Sequence, residues 1–163
     1  IVTALHEASA AYKLAADAST DGRSTDQIRL TAVILDWLIT LHDAGGEAVE
    51  RSQTATMQAS VQQLRQHAVT APWSSSPCDR LQLPSTDLAL HLVTGSPAAA
   101  DVATSYAAVF DKSLGRRECE NETQWISLIH RCLPAQGAVA QERRQSLEQL
   151  ERALQAWMQP DPP

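Results

Sequence analysis

The hydrophobic pattern of this chain is densest between Thr25 and Gly46, in TDQIRLTAVILDWLITLHDAGG. Ile28, Leu30, Ala32, Val33, Ile34, Leu35, Trp37, Leu38, Ile39 and Leu41 cover most of a helical circumference at about 3.6 residues per turn. Arg29, Asp36, Thr40 and Asp43 are left on one narrow polar stripe. A helix apolar nearly all round belongs in the middle of a fold. Its length and its polar interruptions argue against a membrane span. Ser24 with Gln27 three residues on reads as a capping box, and Gly45-Gly46 as the stop.

The flanking segments are thinner versions of the same periodicity. Residues 1–19 predict a helix with Val2, Leu5, Ala8, Tyr12 and Ala15 on one side, ended by Asp21-Gly22. Residues 47–69 predict an outer helix whose stripe is only Val49, Met57, Val61, Leu64 and Ala68. The stretch TAPWSSSPCDRLQLP, 70–84, cannot continue a helix. It reads as a linker, with Trp73 folded back onto apolar surface and Ser76-Pro77 as a turn or a proline-directed phosphorylation site. Ser85 or Thr86 then caps a short helix to Val93, ended by Gly95.

Ser96-Pro97 reads as a cap with proline at the first helical position. The helix it opens runs to about Leu114 with Val102, Tyr106, Phe110 and Leu114 four apart, and Gly115 stops it. A further helix covers 118–133 with Trp125, Leu128, Ile129 and Cys132 on its predicted inner face, before the turn at Pro134 and Gly137. The last helix, 138–158, carries a seam of Ala140, Leu147, Leu150, Leu154 and Trp157, with a favourable Glu148–Arg152 pair. The tail 159–163 is expected to be disordered. No segment alternates like a strand. The expectation is an all-α antiparallel bundle of six to seven helices with short connections.

Two halves of this pattern resemble each other. Trp37-Leu38-Ile39-Thr40-Leu41-His42 matches Trp125-Ile126-Ser127-Leu128-Ile129-His130 in type and position, and Ser60-Val61-Gln62-Gln63-Leu64 matches Ser146-Leu147-Glu148-Gln149-Leu150. Tyr12 and Asp17 repeat the spacing of Tyr106 and Asp111. Taken as a duplication, this divides the chain into three-helix units at 1–70 and 97–158, joined by a Pro/Ser-rich linker with a short helix at 71–96. The alternative is one domain over 1–158. The layout resembles tandem MIT-type three-helix modules and, more loosely, TPR-like hairpins, in architecture only. No diagnostic motif of either family is present, so the resemblance carries no binding residues.

Composition narrows the chemistry. The chain has 163 residues, 44% hydrophobic, 20% charged and 4% aromatic, with a formal net charge of −6. Such a surface lacks the basic face that nucleic-acid binding requires, so no nucleic-acid partner is expected. Cys78, Cys119 and Cys132 are odd in number and lack CxxC spacing, which reads as free thiols in a cytoplasmic or other reducing compartment. The alternative is a secreted helical factor, motivated by the sequon Asn121-Glu122-Thr123 beside Cys119. The chain opens on Ile1-Val2 without Met or a visible signal sequence, and reads as a fragment of a larger protein or a processed chain.

Catalytic and cofactor motifs are absent from the sequence. His6-Glu7 lacks the second histidine of HExxH, and there is no GxSxG. Cys119, His130 and Cys132 match no zinc spacing. Gly45-Gly46 has no Lys-Ser/Thr partner for a phosphate loop. Glu118, Glu120 and Glu122 alternate along one segment and are expected to point apart into solvent. His42 and His130 each end an apolar run, where the helix dipole favours a cation.

No metal, cofactor or catalytic residue is therefore expected. The function expected is non-enzymatic: a protein-protein interaction or scaffolding domain that docks an amphipathic helix or peptide in an interhelical groove. Leu147, Leu150, Leu154 and Trp157 on the last helix are the first candidate docking residues, and Met57 and Val61 on the third helix the second. The competing expectation for the leucine seam is that it packs on the domain's own core. The alternative function is a small ligand-binding bundle or enzyme, with polar groups converging between helices.

Overall fold

The computed structural model describes residues 1–20, 22–70, 80–110 and 116–158. Among them the chain is an all-α bundle of seven helices with no strand: α1 (Val2–Ala18), α2 (Gly22–Asp43), α3 (Arg51–Thr70), α4 (Gln82–Thr94), α5 (Ala99–Phe110), α6 (Arg116–Cys132) and α7 (Ala138–Met158). The expectations for Asp21, Trp73, Ser76-Pro77, Cys78, Leu114, Gly115 and the tail fall outside the described residues, as does the Ser24 side chain.

The apolar helix is central, as its pattern requires. Leu30, Ala32, Ile34, Leu35, Trp37, Leu38, Ile39 and Leu41 are all buried, and α2 packs on α1, α3 and α4. It begins at Gly22, upstream of the expected cap, and ends at the double glycine. Gly45 and Gly46 both take positive φ, and their N–H groups reach back to the carbonyls of His42 and Leu41. That geometry satisfies the carbonyls a helix end would otherwise leave unpaired.

Other helix starts also differ from the sequence expectation. The third helix begins at Arg51 rather than Glu47. Ser85 and Thr86 do not cap α4, which starts at Gln82 with Pro84 in its first turn. Proline is tolerated there because first-turn N–H groups have no intrahelical partner. The displaced hydroxyls bond elsewhere: Ser85 donates to Glu122 and Thr86 to the Leu83 carbonyl. Pro97 does not open α5 either. The Ser96-Pro97 peptide is cis, and the helix begins at Ala99.

The helix read from the sequence as a short connector, α4, is deeply packed. Thr86, Leu88, Ala89, His91, Leu92 and Val93 are buried, and α4 touches α2, α3 and α5. Beyond it α7 packs on both α5 and α6. The buried apolar residues of all seven helices form one contiguous cluster, from Leu5 of α1 to Leu154 of α7.

Of the expected inner face of α6, Ile129 is buried and Trp125 and Cys132 are partly buried against the core, but Leu128 falls outside it. Cys119, Ile126, Ile129 and, just past the helix, Leu133 are buried, while Leu128 is 44% exposed. The stripe that packs brings Glu122 and Thr123 inward with it.

Candidate functional site

Helix α1 packs chiefly on α2 and buries only Leu5, Ser9 and Ala16. Asp36, from the polar stripe of α2, anchors it. Ser9 donates to Asp36 Oδ1 at 2.6 Å, and Lys13 Nζ lies 2.9 Å from Oδ2. Because α1 packs chiefly on α2, a depression opens on either side of the α1–α2 pair.

On the α3 side lies a groove made of two adjoining depressions of about 380 and 350 Å³ that share Val33, Asp36 and Ser60. Its floor is Ala32, Val33 and Asp36 of α2, and its walls are Lys13 and Ala16 of α1 and Met57, Ser60 and Leu64 of α3. His67 closes one end, with Nδ1 3.2 Å from Oδ2 of the buried Asp26.

The candidate docking residues separate in space. Leu147, Leu150 and Leu154 are buried in the common core, and so is Val61. Trp157 stands apart from that seam, 52% exposed. Met57 is half-buried and is the only one of the six that lines the groove.

On the other side of α1, a cleft of about 300 Å³ opens between α1, α2, α4 and α6. Tyr12, Leu30, Ile34 and Trp125 give it apolar and aromatic surface; Gln82, Ser85 and Glu122 supply polar groups. The buried Tyr106 hydroxyl donates to Glu122 Oε1 at 2.6 Å, and Ser85 Oγ approaches the same oxygen at 3.3 Å. Burial raises the Glu122 carboxyl above its ordinary pKa, while the Tyr106 and Ser85 hydrogen bonds pull it back down. Burial, reinforced by the Glu122 charge, drives Tyr106 well above the usual phenol value. Gln82 is only 4% exposed, and its amide nitrogen has no hydrogen-bond partner among the described residues.

The sequence expectation that Glu118, Glu120 and Glu122 all stay solvated fails at Glu122. Helical period holds the missed signal: Glu122 lies four residues before Ile126 and seven before Ile129, so it sits on the packed stripe, not opposite it.

A third polar cluster ties the helices at the opposite end. His42 Nε2 donates to the Cys132 carbonyl at 2.7 Å. Arg143, inserted in the α7 seam, donates to the Leu92 carbonyl at 2.9 Å, where the C-terminus of α4 favours a cation. His91 donates from Nδ1 to Pro97 at 2.7 Å. Burial, aided by the Arg143 charge, holds its pKa below the ordinary histidine value. His130 instead faces Glu148 and Glu151, so the two histidines of the repeated hexamer have unlike partners.

Cys119 and Cys132 are free thiols. Thr123 of the sequon is buried and donates to the Cys119 carbonyl, while Asn121 is exposed. Among the described residues no group of three metal-ligating side chains converges, and no helix is long and apolar enough to cross a membrane. No protein-family model matches the chain, and no characterised protein or solved structure shows significant similarity to it.

Proposed function

We propose that this chain is a non-enzymatic interaction domain that docks an amphipathic helix of a protein partner in the groove between α1 and α3. The observation that carries this reading is the groove itself. From Ser52 to His67 its α3 wall runs roughly 22 Å at 1.5 Å per residue, the length of a four-turn helix. The small side chains of Ala16, Ala32 and Ser60 permit close backbone approach. Met57, unbranched and adaptable, suits an apolar anchor on the partner. Lys13, Asp17, Arg29 and His67 along the rims present both signs of charge, which sets register and discriminates partners more than it adds affinity.

A photo-crosslinking residue at Ser60 is expected to join a partner in native lysate, while one at Gln149 on the exposed face of α7 does not. Ser60→Trp is expected to fill the groove and abolish that capture with melting unchanged. Full capture by a folded Ser60→Trp variant excludes the groove as the docking face. The alternative reading, a ligand-binding bundle, draws on the separate cleft around Glu122.

A further inference from the structure

We propose that the cleft between α1, α2, α4 and α6 binds a small organic cation that carries a hydrogen-bond acceptor, its ammonium held by the Glu122 carboxyl and its acceptor by the Gln82 amide. This site is independent of the helix groove, on the opposite side of α1.

Gln82 provides the first observation. Its side chain is buried on the wall of the cleft, yet its Nε2 donor is unpartnered. A buried donor is normally satisfied, because leaving it bare forfeits its hydration. An acceptor atom on a guest supplies the missing partner once the amide turns toward the cleft.

Glu122 provides the second. Among the described residues it is the only carboxylate lining the cleft, and none of those lining it is Lys, Arg or His. Its Oε1 is fixed by the hydroxyls of Tyr106 and Ser85, and Oε2 accepts no hydrogen bond from a described residue. Buried charges in proteins are ordinarily paired. Here two neutral donors orient the carboxyl and no cation of a described residue neutralises it, so the complementary guest carries the positive charge.

The wall supplies the third. Trp125 and Tyr12 line the same cleft, and aromatic faces attract ammonium groups by cation–π interaction. A volume of about 300 Å³ sits at the small end of ligand pockets and suits a single-ring or short-chain amine.

The test uses the whole chain and a fixed set of probes: tyramine, ethanolamine and choline, with 3-(4-hydroxyphenyl)propionate as the tyramine analogue of opposite charge. Binding is read from the indole N–H resonance of Trp125 by NMR. At least one of the three cations is expected to shift that resonance saturably, and the carboxylate analogue is not. Glu122→Gln keeps an acceptor for Tyr106 and removes the charge, and is expected to weaken the bound cation by about tenfold or more, the factor that 1.4 kcal/mol represents. Gln82→Met is expected to weaken it several-fold, and it keeps the test decisive should Glu122→Gln melt. Failure of all three cations to shift Trp125 overturns the proposal. So does equal binding by the carboxylate analogue, or undiminished affinity in either folded variant. Loss of partner capture in the α1–α3 groove would leave these outcomes unchanged.

Discussion

Gly46 and Gly137 meet backbone to backbone, locking the turn after α2 against the turn before α7. The Gly46 carbonyl accepts the Ala140 N–H at 2.9 Å, and a Cβ on either glycine would run into the other turn's main chain. Both also hold positive φ, +80° and +106°. Gly137→Ala therefore combines backbone strain with a clash that no rotamer relieves. It is expected to cost about 2–5 kcal/mol. Gly45 takes φ +65° with open space around it, so Gly45→Ala should cost only about 1–2 kcal/mol. Urea melts of the two variants check the difference; equal losses would mean that strain alone, not the close approach, restricts these positions.

Glu122 makes stability fall as pH rises. Its folded-state pKa is raised above the ordinary value of 4.5, so the folded chain holds the proton more tightly than the unfolded one. The stabilisation is fully present below pH 4.5 and is lost as pH climbs through the raised folded pKa. Glu122→Gln should abolish this loss, so the variant gains on the parent with increasing pH. Chemical melts across that window measure it, and a constant difference between the two proteins would contradict the assignment.

His91 acts with the opposite sign. Its folded pKa is lowered from 6.5, because protonation would place a second positive charge in the interior beside Arg143. Stability is complete above pH 6.5 and declines as pH falls from there toward the lower folded pKa. In His91→Asn, whose amide can still donate to Pro97, the decline should flatten. The two slopes oppose each other where their windows overlap, so each variant must be compared with the parent separately. A His91→Asn melt series parallel to the parent's would assign the acid loss to other groups.

The leucine seam of α7 is core. Leu150 and Leu154 are buried against the common cluster, so Leu150→Ala and Leu154→Ala should each cost about 2–5 kcal/mol. Trp157→Ala, at a half-exposed position outside the seam, should leave melting nearly unchanged. Thermal denaturation of the three variants decides this, and a leucine variant that melts with the parent would place that side chain on a surface.

Asp87 bridges three helices: Arg65 of α3 lies 2.9 Å from Oδ1, and Ser105 of α5 donates to Oδ2 at 3.0 Å. Its carboxylate is largely buried while Arg65 is partly exposed. Asp87→Ala should cost about 1–3 kcal/mol, mostly through the part-buried Ser105 hydroxyl left without its acceptor. Lys13→Ala removes a pair whose lysine is mainly in solvent, and should cost at most about 1 kcal/mol. Reversal of that order in urea melts would make the α1–α2 tether the stronger joint.

Local chemistry alone determined which segments are helical and where the glycine stops fall. Apolar period, Gly45-Gly46 and Gly95 act within a turn or two of chain, and a helix as apolar as α2 has nowhere to go but inside. Only the tertiary structure decided which flank of the α6 stripe faces inward. Leu128 and Ile126 flank the same stripe of Trp125, Ile129 and Cys132, and packing takes Ile126 inside and leaves Leu128 44% exposed. That selection carries Glu122 under Tyr106 and Ser85, residues distant in sequence on helices that meet only in the fold. It was decided the same way that the α4 segment, begun upstream of its proline, packs into the core, and that Met57 reaches a groove while Val61, one turn on, is buried. A sequence period gives the angle between side chains on one helix; the neighbour that fills each angle is a property of three-dimensional packing.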